Sequence, residues 1–162
     1  MIRAPRPATS GVLLLSWGAG TPHAPSVARE TLRSALRSRG VAPEDTDDAV
    51  QAASELIANA VEHAIGPYEL WLRSTASELI CEVHDHDPTL PRLTPHSEHP
   101  EPVPRECGRG LWIVEELTAG CWGFRLTGGP RRATWRKVAW MAVPAGLHLV
   151  QRSAERGPGA VT

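Results

Sequence analysis

The chain has 162 residues, 41% of them hydrophobic and 22% charged, a balance that suits one folded domain with its own core. A formal net charge of -1 excludes the strongly basic surface of a nucleic-acid binder or of a protein held to acidic lipid. The three cysteines (Cys81, Cys107 and Cys121) have no paired spacing and read as reduced thiols, and no apolar run reaches the roughly 20 residues of a membrane span, so a cytoplasmic protein is expected.

Residues 1–10 are polar and proline-bearing and read as a loose tail. Arg3 and Arg6 before Gly11–Leu15 imitate a signal peptide, but Ser16, Gly18 and Gly20 interrupt the apolar stretch. Val12–Trp17 is therefore read as a first strand rather than a secretion signal. Pro25 suits the first turn of a helix with Val27, Leu32, Ala35 and Leu36 on its apolar face and Gly40 as its stop. Arg29, Arg33 and Arg37 stripe its other side, as a solvated face rather than a docking surface for an acidic partner. A second helix opens at Pro43-Glu44-Asp45, where carboxylates meet the positive end of the helix dipole, and ends at Gly66-Pro67. Val50, Ala53, Ile57, Ala60 and Ala64 form its apolar stripe.

Strands are predicted at Tyr68–Arg73 and Glu78–His84, joined by a turn at Ser74–Ser77. From Pro88 to Glu106 six prolines (Pro88, Pro91, Pro95, Pro100, Pro102 and Pro104) replace any apolar period, which marks residues 88–107 as a lid or binding loop. A third helix follows over Leu111–Leu117, beginning at Gly110. Trp122–Leu126 and Val138–Val143 then read as closing strands around a turn at Gly128-Gly129-Pro130. The domain is expected over 11–145, with a second flexible tail at 146–162.

Three groups of residues carry chemistry. Glu55, Asn59 and His63 stand one turn apart on the second helix, away from its apolar stripe, and can point together at one ligand. A carboxylate there can accept a proton, and an amide oxygen is a hard neutral ligand for Mg²⁺. The same spacing also fits a helix whose outer face meets only solvent. Gly108 and Gly110 flank Arg109 at a helix start, where glycine lets the backbone approach a phosphate and the first free N–H groups face an anion; a flexible loop end would read the same way. Val83-His84-Asp85-His86-Asp87 ends a predicted strand, where a carboxylate could accept a hydrogen bond from an exocyclic amine or cap its own turn. His84, Asp85, His86 and Asp87, with His96, His99 and Cys107, also offer metal-ligand types, but their spacing matches no zinc pattern.

Taken in order, these segments resemble the GHKL ATPase superfamily, which includes gyrase and histidine kinases. Glu55–Ala64 looks like its N box, Val83–Pro88 like its first glycine box and Gly108–Val114 like its second, with the proline-rich segment between them as lid. The resemblance covers roughly residues 11 to 143 and is nearest to stand-alone anti-sigma factor serine kinases of actinobacterial type. It implies an α+β fold, a two-layer sandwich with helices on one face of a mixed, mostly antiparallel sheet. It implies ATP and Mg²⁺ as cofactors. Glu55 would be the general base and Asn59 the Mg²⁺ ligand, with His63 supporting the same wall. Asp85 would bind the adenine amine beside Asp87, and Gly108, Arg109, Gly110 and Leu111 would form the phosphate turn. Two positions depart from the pattern. Asp87 stands where the family has glycine, and Val138 stands where a threonine helps hold adenine, unless Thr134 takes that place.

The function so implied is a serine/threonine protein kinase of the partner-switching type, acting on a sigma factor and an anti-anti-sigma protein. There is no direct nucleic-acid or membrane contact, and a homodimer is left open. About 160 residues leave no room for a phosphoacceptor helix pair beside such a domain. The alternative, favoured by the two departures, is a non-catalytic interaction module with weak or no nucleotide binding.

Overall fold

The computed structural model describes residues 10–91, 109–128 and 135–143. In chain order these form β1 (Ser10–Trp17), α1 (Ala24–Ser38), α2 (Pro43–His63), β2 (Tyr68–Ser74), β3 (Leu79–Asp85), α3 (Arg109–Leu117), β4 (Trp122–Thr127) and β5 (Arg136–Ala142). The proposed lid beyond Pro91 and the tails, apart from Ser10, lie outside the described residues. No helix among the described residues is long and apolar enough to cross a membrane.

The helices begin and end where backbone chemistry dictates. Pro25 occupies the first turn of α1, where its missing N–H costs nothing. The helix ends in a Schellman motif: Gly40, at φ 76°, donates its N–H to Arg37 O (2.9 Å), and Val41 donates to Leu36 O (3.2 Å). Ala24, Ala28, Leu32 and Leu36 are its buried residues, whereas Val27 is 48% exposed, so the inward face is turned away from the expected Val27 position. The arginine stripe on α1 is divided: Arg33 pairs with Asp47 of α2 at 3.0 Å, while Arg29 donates to Ser26 on its own helix at 2.9 Å.

α2 starts at Pro43 with Glu44 and Asp45 in its first turn. Its buried face is wider than the predicted stripe, adding Thr46, Ala49, Ala52 and Leu56 to Val50, Ala53, Ile57 and Ala60. Small alanines let the helix lie close against the sheet, and Leu56 and Ile57 fill the space between.

The five strands are ordered β1-β2-β3-β5-β4, and every pairing is antiparallel. The expected mixed sheet is corrected on this point. β3 and β4 do run in the same direction, but β5 is inserted between them and is antiparallel to both. A bulge between Leu13 and Leu15 shifts the register of β1. Alternate strand residues (Leu70, Leu72, Cys81, Val83, Ala139, Met141) join α1 and α2 in one core, which leaves the helices on one face of the sheet. Burial pushes the Cys81 thiol up to about 12, so it is a packing group and not a nucleophile.

The opposite sheet face carries a polar knot. Glu82, 3% exposed, accepts hydrogen bonds from Arg73 Nε (2.7 Å) and Arg125 Nη2 (2.7 Å), and its Oε2 lies 2.9 Å from His84 Nε2. Burial alone would raise its pKa. The hydrogen bonds from His84, Arg73 and Arg125 overcome that and hold it at about 2. A carboxylate depressed in this way adds stability that is complete above its unfolded pKa and is lost as pH falls through the folded one. Chemical denaturation from pH 5 down to pH 2 should therefore show a steep loss of stability. Glu82→Gln should flatten that loss and lower stability at neutral pH by about 3 kcal/mol, because two guanidinium groups lose their anion.

Candidate functional site

The buried side of α2 fixes where its other side points. Leu56, Ile57 and Ala60 are held in the core, so Glu55 and Asn59, both half-buried, look outward over the helix. His63, one turn on, is 68% exposed, and its nearest charged neighbour is Glu62 at 3.8 Å. The three residues therefore do not share one environment: Glu55 and Asn59 line the wall, and His63 stands at its rim.

α3 packs against α2 at this wall. A Cβ built on Gly110 would come within 2.7 Å of Glu55 Oε2 and 3.6 Å of Glu55 Cδ, so the carboxylate lies directly over the first turn of α3. Arg109 is exposed there, while Leu111 packs on the core. Gly110 is thus a glycine for a spatial reason, since its missing side chain leaves room for the Glu55 carboxylate. Gly108 lies outside the described residues, as do His96, His99, Cys107 and Thr134.

The exit of β3 closes the other side. His86 N–H donates to Ile65 O at 2.9 Å, tying this exit to the chain just beyond α2. Asp85 is 1% exposed. Its Oδ1 accepts the Asp87 N–H at 2.9 Å, but its Oδ2 is buried without a hydrogen bond, and the nearest cation is Lys137 Nζ at 3.4 Å. Burial raises the Asp85 pKa, against the opposing influence of the Asp87 N–H and the Lys137 ammonium. Asp87 is engaged elsewhere: its Oδ1 accepts the Thr89 N–H at 2.9 Å, and that bond lowers its pKa. Asp87 is thus a turn former whose charge is already occupied. His86 Nε2 is a second buried polar atom with no partner among the described residues.

Register decides which β5 residue meets Asp85. Asp85 pairs with Lys137, and His84 pairs with Val138. Val138 therefore belongs to the face of the sheet away from the helices, and the expectation that it occupies the adenine-side position is corrected to Lys137, 5% exposed. Matching Arg136-Lys137-Val138 to the start of the family's last strand put Val138, not Lys137, in the threonine's place, and a one-residue slip in strand alignment exchanges the two faces. The alternation of Lys137, Ala139 and Met141 with bulkier Trp140 carried a faint signal of the correct parity.

The groups gathered here are chemically coherent as partners for an amine and an anion. A buried carboxylate oxygen with a free lone pair fits an exocyclic amine, and unbonded amides at a helix start fit phosphate oxygens. The donor set for Mg²⁺ is an amide and a carboxylate on successive turns, suited to a cation that keeps water and phosphate in its shell. No group of three or more His, Cys, Asp or Glu side chains among the described residues is placed to hold a metal by protein ligands alone.

The family model for the histidine kinase-like ATPase domain matches residues 19–132. Among solved structures, the chain is similar to the RsbU and RsbW domains of Rv1364c from Mycobacterium tuberculosis, with a TM-score of 0.53 and 23% identity over 88% of this chain. This chain spans about a third (34%) of that one, and the likeness is one of fold. No curated protein matches the chain. The contact at Gly110 has a direct test. Gly110→Ala should fold, because the clash falls on the flexible end of Glu55 and alanine favours helix by about 1 kcal/mol. Amide chemical-shift changes should centre on Glu55 and the first turn of α3 and leave the sheet unperturbed.

Proposed function

The chain belongs to the histidine kinase-like ATPase domain family, and from that premise we propose that it binds Mg-ATP between α2 and the β3 exit and phosphorylates a serine of a partner protein. The observation that carries this reading is the unsatisfied Oδ2 of Asp85, a buried acceptor at the position where the resemblance expects the adenine amine. When bound, the nucleotide supplies the phosphoryl group and Mg²⁺ offsets its charge. The protein's own part is to orient and to move a proton. Asn59 offers its amide oxygen to the cation, and the turn at Gly108–Leu111 offers backbone N–H groups to the phosphates. Arg109, exposed at the head of α3, adds a positive charge facing the same anion. Glu55, over the first turn of α3, accepts the proton of the attacking hydroxyl. His63 and Asp87 flank the hollow without touching the reacting atoms in this scheme.

The biological setting we propose is partner switching, with a sigma factor and an anti-anti-sigma protein as partners. Its support is the fold shared with a chain whose described domains are RsbU and RsbW, together with the nearness of the motifs to anti-sigma factor kinases. A second reading has its own observation. Lys137 already stands beside Asp85, and if that pair stays closed the domain acts as a binding module without nucleotide.

Two substitutions and one titration separate these readings. Asn59→Ala should abolish the Mg²⁺-dependent part of ATP affinity in isothermal titration, while the melting temperature without nucleotide stays near that of the parent. Glu55→Gln should keep ATP affinity within a few-fold yet lower phosphoryl transfer to the partner serine by roughly 10²-fold or more. Absence of any binding heat with both ATP and ADP would leave the interaction module as the function.

A further inference from the structure

The carboxylate that the nucleotide reading assigns to the adenine amine does not stand alone, because Lys137 lies beside it. Asp85 and Lys137 are register partners on the helix-facing side of the sheet, both almost wholly buried, with Nζ 3.4 Å from Oδ2. Asp85 has two oxygens. Oδ1 already accepts the Asp87 N–H, whereas Oδ2 has no hydrogen bond, so Oδ2 is the oxygen more open to a ligand donor. A lysine ammonium carries three N–H donors and accepts nothing, and the long contact to Oδ2 leaves it donors to offer. The β3 exit thus presents one acceptor beside one donor.

We propose that Lys137 is a second base-reading residue, which donates to a purine ring nitrogen while Asp85 accepts from the amine beside it. This rests on the nucleotide reading given above and names what sets its base preference. Adenine carries one amine donor next to the N1 acceptor, the complement of an Oδ2 acceptor next to an Nζ donor. Guanine carries an N–H at N1 where adenine has an acceptor, so it would set a donor against the Lys137 ammonium and leave that contact unpaired. Lys137 therefore restores by a charged donor the base contact that Val138, on the other sheet face, has no means to make.

The test is isothermal titration of the full chain with three ligands: ADP, its 1-deaza analogue in which C–H replaces N1, and the purine nucleotide lacking the amine. The parent protein should bind ADP about tenfold or more tightly than the 1-deaza analogue, since a hydrogen bond to a charged donor is lost. Lys137→Met should bind ADP and the 1-deaza analogue equally, yet still discriminate against the ligand without the amine. A purely structural Asp85–Lys137 pair would weaken all three ligands alike. The comparison of ADP with its 1-deaza analogue on the parent protein needs no variant, so it holds even if Lys137→Met does not fold. Equal affinity of the parent for those two ligands overturns the proposal, and so does tighter ADP binding by Lys137→Met, which would make Lys137 a plug. If parent and variant both bind none of the ligands, the nucleotide reading itself has failed, a result distinct from binding without N1 discrimination.

Discussion

The seating of α2 on the sheet is the constraint on which the rest depends. Eight of its residues, from Thr46 to Ala60, are buried, and several are alanines, so the helix lies close to the strands with little freedom to roll. A helix held in this way has no choice about its exposed side. Glu55 looks across toward α3, and its carboxylate fills the space that Gly110 leaves by lacking a side chain. The link from Ile65 to His86 then fixes the end of the helix against the end of β3. The positions of Glu55 and of the β3 exit are thereby set by core packing and a backbone link, not by the polar side chains themselves.

The sheet adds a second constraint through its period of two. β3 places Asp85 on the helix side and Glu82 and His84 on the other, and the two faces treat their carboxylates in opposite ways. Glu82 is wrapped by two guanidinium groups and an imidazole, so its charge is stabilised in place and adds to the fold. Asp85 is equally buried but has only one backbone N–H and one ammonium at 3.4 Å, and burial raises its pKa. A carboxylate left short of partners in a hollow is costly to the fold, and such costs concentrate where a ligand supplies what is missing.

The two departures from the resembling motif come to mean different things in three dimensions. Asp87, whose negative charge seemed set against a base, is turned to the Thr89 backbone and serves a local turn. The loss of threonine at Val138 is not the relevant change, because Val138 faces away. The residue on the helix-facing side is Lys137, which puts a cation 3.4 Å from the Asp85 carboxylate. One departure is thus absorbed by loop geometry, and the other alters the electrostatics of the site.

The sequence by itself determined the elements and their chemical groups. Steps of three and four over Val50–Ala60, the prolines at the starts of α1 and α2 and Gly40 after α1 are local signals, and each corresponds to an observed boundary or buried face. The order of the Glu55–Asn59, Asp85 and Gly110 groups was legible because each segment is short and its spacing is set by backbone geometry alone. Only the tertiary structure decided strand order, the antiparallel pairing of β5 with β3 and the parity that brings Lys137 rather than Val138 to Asp85. Hydrogen-bond register joins residues about fifty positions apart, and no local pattern encodes a one-residue slip. The same holds for Glu82, whose three partners lie on β2, β3 and β4: a buried charge in this strand becomes intelligible only when Arg73 and Arg125 converge on it from other strands.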